Sequence, residues 1–162
     1  MRSPEPWLSL CLVRPMRART LTTAIFVCLL ASTIADEEKP LERLHYALRH
    51  MDNPGDVIYQ AQLDGLDYRA HLRRAIVKDR RSLAALFDYT ENGQLMGVGA
   101  EEHCEVLYNL LQVWGDTSFA NVLQGRDRRV RHRVIPWIAS QFPYPGWRPY
   151  QFPQTYKLGP HD

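Results

Sequence analysis

The chain has 162 residues, of which 45% are apolar and 23% charged, with a formal net charge of +2. That apolar share excludes an intrinsically disordered chain. Three cysteines are too few for a disulfide scaffold, and eleven prolines and nine glycines without a repeat period exclude collagen-like and low-complexity sequence. The length suggests one domain.

Residues 1–35 read as an export signal region. Thr20 to Ala35 carry no charge, Arg14, Arg17 and Arg19 precede them, and Asp36-Glu37-Glu38 follows. A positive flank, a short apolar stretch and a small-residue exit describe a secretory signal, with Thr33 and Ala35 at −3 and −1 and Asp36 as the mature start. Met16 opens a compact signal of its own, so translation is expected to start there. The uncharged run is shorter than the roughly 20 apolar residues a spanning helix needs. The mature chain is therefore expected to have no transmembrane span and to be periplasmic or secreted. The lack of any Asn-x-Ser/Thr acceptor is compatible with a bacterial source.

Export changes the charge balance. Residues 1–35 hold four arginines and one glutamate, so 16 basic and 17 acidic residues remain, a net charge of −1. Cys104 is then the sole cysteine, and stability must come from an apolar core rather than an intramolecular disulfide.

The mature chain reads as all-α. Residues 36–66 form an N-terminal helix and linker: Pro40 suits a first helical turn, Leu41, Leu44, Leu48 and Met51 follow helical spacing, and Asn53-Pro54-Gly55 stops the helix. Val57 to Leu63 fits strand or helix, and a helical or irregular segment is preferred because a lone strand has no partner. Residues 67–141 form the helical core. Asp67 is expected to cap one helix, and Asp79 or Ser82 the next, which Glu91-Asn92-Gly93 ends. Gly93 to Gly99 reads as a loop. The following helix is expected to begin with Glu101, Glu102 and Glu105, whose charges favour a helix N-terminus. Apolar residues on two of its faces mark it as central and buried. Gly115 should end it, Asp116 should cap the next helix and Asp127 the last, which Pro136 should kink or split.

The stretch LLQVWGDTSFANVL with DRRVRHRVIPWI, over about residues 110–138, resembles a HEAT-type helical-hairpin repeat. An Asp-led helix, a short turn and Val130, Arg131, Val134 and Ile138 carry the resemblance. It implies a compact array of short helical hairpins and a scaffolding or binding role, and it transfers no catalytic residue. Residues 142–162 hold five prolines and six aromatics, and are expected to lie extended on the core with their rings in its grooves.

Few residues look chemical. Glu102-His103-Cys104-Glu105 contains a nucleophile-and-base pair by type, but adjacent helical residues point about 100° apart. Cys104 falls on the stripe of Leu107, Tyr108 and Leu111 and reads as a core residue. The sequence has no metal-ligand spacing, phosphate loop or paired-cysteine motif, so no cofactor or metal is expected. Arg126, Arg129 and Arg133 would share one side of a helix and, with Trp147 and Tyr150 of the tail, are the candidate partner-binding residues. Export argues against nucleic acid and leaves a protein or an anionic surface polymer as the partner. The leading expectation is an exported, non-catalytic helical protein that binds or scaffolds another macromolecule. The alternatives are a small exported hydrolase using His103 with Glu101 or Glu105, and an immunity or inhibitor protein.

Overall fold

Where aspartates and glycines let helices start and stop sets the frame of the protein, whose computed structural model describes residues 40–140 and 151–160. Helix α1 covers residues 40–50 and opens on Pro40, whose missing N–H costs nothing in a first turn. The chain then turns at Asn53, where the backbone N–H and the Nδ2 of Asn53 both donate to Asp56 Oδ2 at 3.0 Å. Asp56 stands at the N-cap of α2 (Val57–Leu63) but, engaged in this way, makes no capping bond. Val57, Ile58 and Ala61 of α2 are buried, while Tyr59 and Leu63 are exposed. That is the spacing of a helix; a strand would have put Val57, Tyr59, Ala61 and Leu63 on one face.

Asp67 caps α3 (Tyr68–Ile76), accepting from the Ala70 N–H at 3.0 Å. Asp79 caps α4 (Arg80–Asn92), accepting from the Arg81 N–H and, at 2.6 Å, from the Ser82 hydroxyl. The Ser82 bond, first among several, holds the Asp79 carboxyl below the usual range. Ser82 thus sits inside the helix and braces the cap.

Helix α5 (Gly97–Trp114) begins four residues earlier than the glutamates suggest. Gly97 and Gly99 are not loop residues but the first turn, and no acidic residue lies in that turn. Gly99 is required by contact: a Cβ there would fall 2.7 Å from Cδ of Gln60. Gln60 is fixed in turn, donating to the carbonyls of Gly55 and Met96 and accepting from the Met96 N–H. One turn on, Asp64 accepts from the Tyr89 hydroxyl and the Gln94 N–H, both at 2.9 Å. Gln60 of α2 and Asp64 at its C-cap thereby bolt down the segment that enters α5.

Gly115, at φ +74°, ends α5 and leads directly into α6 (Asp116–Gln124). The positive φ suits glycine, which has no Cβ to clash. Asp116 is the first residue of α6 rather than its cap. Its carboxylate instead receives the Gln154 and Thr155 N–H groups at 2.7 and 2.8 Å, which fastens α8 (Pro153–Tyr156) to the start of α6. Part of the tail expected to lie extended is therefore one helical turn, with Thr155 fully buried. Phe152 meets Tyr108 edge-on at 6.3 Å. Helix α7 (Arg128–Ser140) runs through Pro136 without splitting.

The described residues are all-α, without a strand, and belong to one compact unit, Ala35–Asp162. Helix α5 packs on α2, α3, α6 and α7, as its two apolar faces require. Leu107, Leu110 and Leu111 of α5 are fully buried with Leu83, Leu86 and Phe87 of α4 and Phe119 and Leu123 of α6. Phe87 and Phe119 meet edge to face at 4.8 Å. The Trp114 indole N–H donates to the Ala75 carbonyl at 2.9 Å, tying the end of α5 to α3. Helices α6 and α7, which carry the repeat-like pattern, each pack more on α4 than on each other. None of the described helices is long and apolar enough to cross a membrane.

Candidate functional site

The tetrapeptide on α5 resolves into three different structural roles. Glu102 caps a helix other than its own: its Oε2 accepts from the Val57 N–H at 2.8 Å, filling the place Asp56 leaves empty at α2. Burial, opposed by that bond, raises the Glu102 carboxyl above the usual range. Cys104 is 2% exposed and packs as an apolar residue, as the stripe predicts. Glu101 is exposed and Glu105 half-buried.

His103 is fully buried, and both ring nitrogens are engaged. Nδ1 lies 2.8 Å from the Tyr68 hydroxyl and Nε2 lies 2.9 Å from the Thr90 hydroxyl. Thr90 Oγ1 donates to the Leu86 carbonyl at 3.3 Å. The tautomer follows: with its proton given to Leu86, Thr90 accepts from His103 Nε2–H, and Nδ1 accepts from Tyr68 O–H. The rings of Tyr89 and Trp137 approach His103 edge-on at 5.6 and 6.4 Å. Desolvation in this shell, only partly offset by the Leu86 carbonyl, pushes the imidazole down to about 3. It also pushes the Tyr68 hydroxyl well up. The imidazole is therefore neutral at ordinary pH, and neither nitrogen is left to take a proton from a substrate. Among the described residues, no three His, Cys, Asp or Glu side chains gather to hold a metal ion.

The arginine run divides in two. Arg126 lies in the turn before α7, not on the helix, and so does not share a face with Arg129 and Arg133. Its guanidinium forks onto Asp88 of α4, with Nε at 2.8 Å from Oδ1 and Nη2 on Oδ2. Its carbonyl accepts from Arg131 Nη1 at 2.7 Å, and Arg131 also reaches the Gln124 carbonyl at the end of α6. Arg126 and Arg131 thus fasten the α6–α7 turn to α4.

Arg129 and Arg133 are exposed on the outer face of α7. With Glu91, His132, Pro136 and Trp137 they line an open depression of roughly 400 Å³. Arg133 lies 5.2 Å from the centroid of the Trp137 ring, a cation–π contact. It also faces the Glu91 carboxylate at 3.8 Å, beyond hydrogen-bond distance. Arg129 makes no ion pair among the described residues. Arg129, His132, Arg133 and Pro136 stand at i, i+3, i+4 and i+7, one stripe of the helix. Pro136 has no N–H, so the His132 carbonyl lacks its usual helical donor.

Two of the three expected arginines therefore meet in one place, and the third serves the fold. Trp147 and Tyr150 lie outside the described residues. Sequence reasoning did not place Glu91, His132 and Pro136 at the site, nor Trp137 beside the arginines. The i, i+3, i+4, i+7 stripe was available for two of these, His132 and Pro136, and Trp137 stands four residues after Arg133; Glu91, on α4, left no signal. Comparison with protein-family models, curated proteins and solved structures gives no match to this chain.

Proposed function

We propose that the protein is an exported, non-catalytic helical module that binds another macromolecule through the outer face of α7. The observation that carries this reading is the division of the arginine run. Arg126 and Arg131 are consumed by internal contacts, whereas Arg129 and Arg133 are held out over an open depression beside an aromatic ring. What sets Arg129 and Arg133 apart from other exposed arginines is that both line one depression beside Trp137. Export rests on the pattern of residues 1–35, and a protein or an anionic surface polymer is the partner class that the exported setting favours. The buried, doubly bonded His103 lends no support to hydrolysis at α5.

The test is photo-crosslinking in the producing cell. A photoreactive residue at position 129 is expected to give a discrete adduct in the exported fraction. The same residue at position 80, another exposed arginine, is expected to give none. Adducts of equal yield from both positions, or none from 129, would refute the reading.

A further inference from the structure

Resting on that reading, we infer that the α7 depression docks an acidic segment of a partner protein that presents two carboxylates one helical turn apart. Three features point there. First, Arg129 and Arg133 stand four residues apart on one helix face, which separates their stems by one turn, about 5 to 6 Å. Carboxylates at i and i+3 or i+4 of a partner helix have the same separation, and each guanidinium matches a carboxylate in planar, forked geometry.

Second, the depression already receives a carboxylate. Glu91 faces Arg133, but at 3.8 Å it makes no hydrogen bond, and the guanidinium donors stay open to solvent. An incoming carboxylate that reaches hydrogen-bond distance improves on that contact and has Arg129 as a second anchor.

Third, the Trp137 ring, the larger of the two rings that line the depression among the described residues, argues against a sugar polymer. Carbohydrates dock by laying a sugar face on an aromatic face, and Arg133 covers this ring at 5.2 Å. The aromatic thus orients an arginine toward anions and does not offer a stacking platform.

The experiment uses the exported chain and a displayed library of 12-residue peptides. Enriched peptides are expected to carry Asp or Glu pairs three or four residues apart. Replacing those residues by Asn or Gln should abolish binding. Arg129→Gln with Arg133→Gln, which keeps the long stems for packing, should weaken the best peptide about tenfold with unchanged thermal melting. Binding should also fall with added salt. Dextran sulfate is the competing probe and is expected to displace the peptide poorly. Enrichment of neutral or basic peptides, or no enrichment, overturns the inference. So does equal binding by the double variant, or tighter and equally arginine-dependent binding of dextran sulfate. The crosslink at position 129 separates the two levels. A partner captured there through a segment without paired acids overturns the acidic-segment inference and leaves the binding reading standing. Absence of any adduct overturns both.

Discussion

Trp137 divides two sets of polar groups that obey different rules. On its inner side lies His103, edge-on at 6.4 Å, and on its outer side Arg133 at 5.2 Å from the ring centroid. Inside, each hydrogen bond is committed: Tyr68 to His103, His103 to Thr90, Thr90 to the Leu86 carbonyl. Outside, Arg133 has a distant carboxylate and Arg129 has no ion pair among the described residues. The cause is solvent. A buried polar group without a partner costs about 1–3 kcal/mol, which the pairing around His103 avoids. An exposed guanidinium has water, so an uncommitted arginine costs the fold almost nothing and stays available for binding.

Removing His103 should have the largest effect. His103→Leu strands the Tyr68 hydroxyl in the core, leaves Thr90 only its bond to the Leu86 carbonyl, and is expected to cost about 3 kcal/mol, measured by urea unfolding. The same residue gives a pH signature. Its folded pKa, about 3, lies below the value of 6.5 expected in the unfolded chain. Between those values the unfolded state binds more protons. The stability His103 contributes is therefore complete above 6.5 and is lost as pH falls through the window, at up to about 1.4 kcal/mol per pH unit. Glu102, raised in the fold, opposes this trend in the acid part of the window. His103→Gln should flatten the slope by close to one proton between about pH 4 and about pH 6, inside the interval from about 3 to 6.5. An unchanged slope would mean that the imidazole reaches water.

Gly99→Ala comes next. The new Cβ meets Gln60, which is held by three hydrogen bonds and cannot move aside freely. A loss of about 1–3 kcal/mol is expected, and Gln60→Ala in the same chain should recover part of it. Fully additive losses would show that the two residues do not meet.

The smallest effect tests the division among the arginines directly. Arg126→Ala should cost about 1 kcal/mol, because it breaks the half-exposed fork to Asp88, while Arg129→Ala should stay within about 0.5 kcal/mol. For partner binding the order should reverse. If Arg129→Ala destabilises as much as Arg126→Ala, the outer face is structural.

Local chemistry was the legible part of this fold. Asp67 and Asp79 cap helices as their positions announce, and Gly93 and Gly115 end them, because capping is decided within a few residues. The periodic core residues Leu72, Leu83, Leu86, Phe87, Leu107 and Leu111 are all fully buried. Matches made across the chain were not legible. Gly97 and Gly99 read as loop because glycine usually marks flexibility, while here Gln60, 39 residues before Gly99 in the numbering, requires one of them. Glu102 read as a charge at its own helix start, but its partner is the Val57 N–H, 45 residues away. Arg126 read as part of a helix face because spacing alone cannot see Asp88, 38 residues earlier.

The clasp between Asp116 and α8 has a topological consequence. It closes a loop of 38 residues between Asp116 and Gln154 without a covalent bond, and all of α7 lies inside that loop. The entropy of closing it is met by two N–H···carboxylate bonds and the burial of Thr155. Beyond the clasp the chain returns to α7, where Gly159 lies so close to Ile135 that a Cβ would fall 3.0 Å from its Cγ2. Trimming the chain before Pro153 would remove both the clasp and that contact, so residues far from Arg129 and Arg133 in sequence take part in holding the helix that carries them.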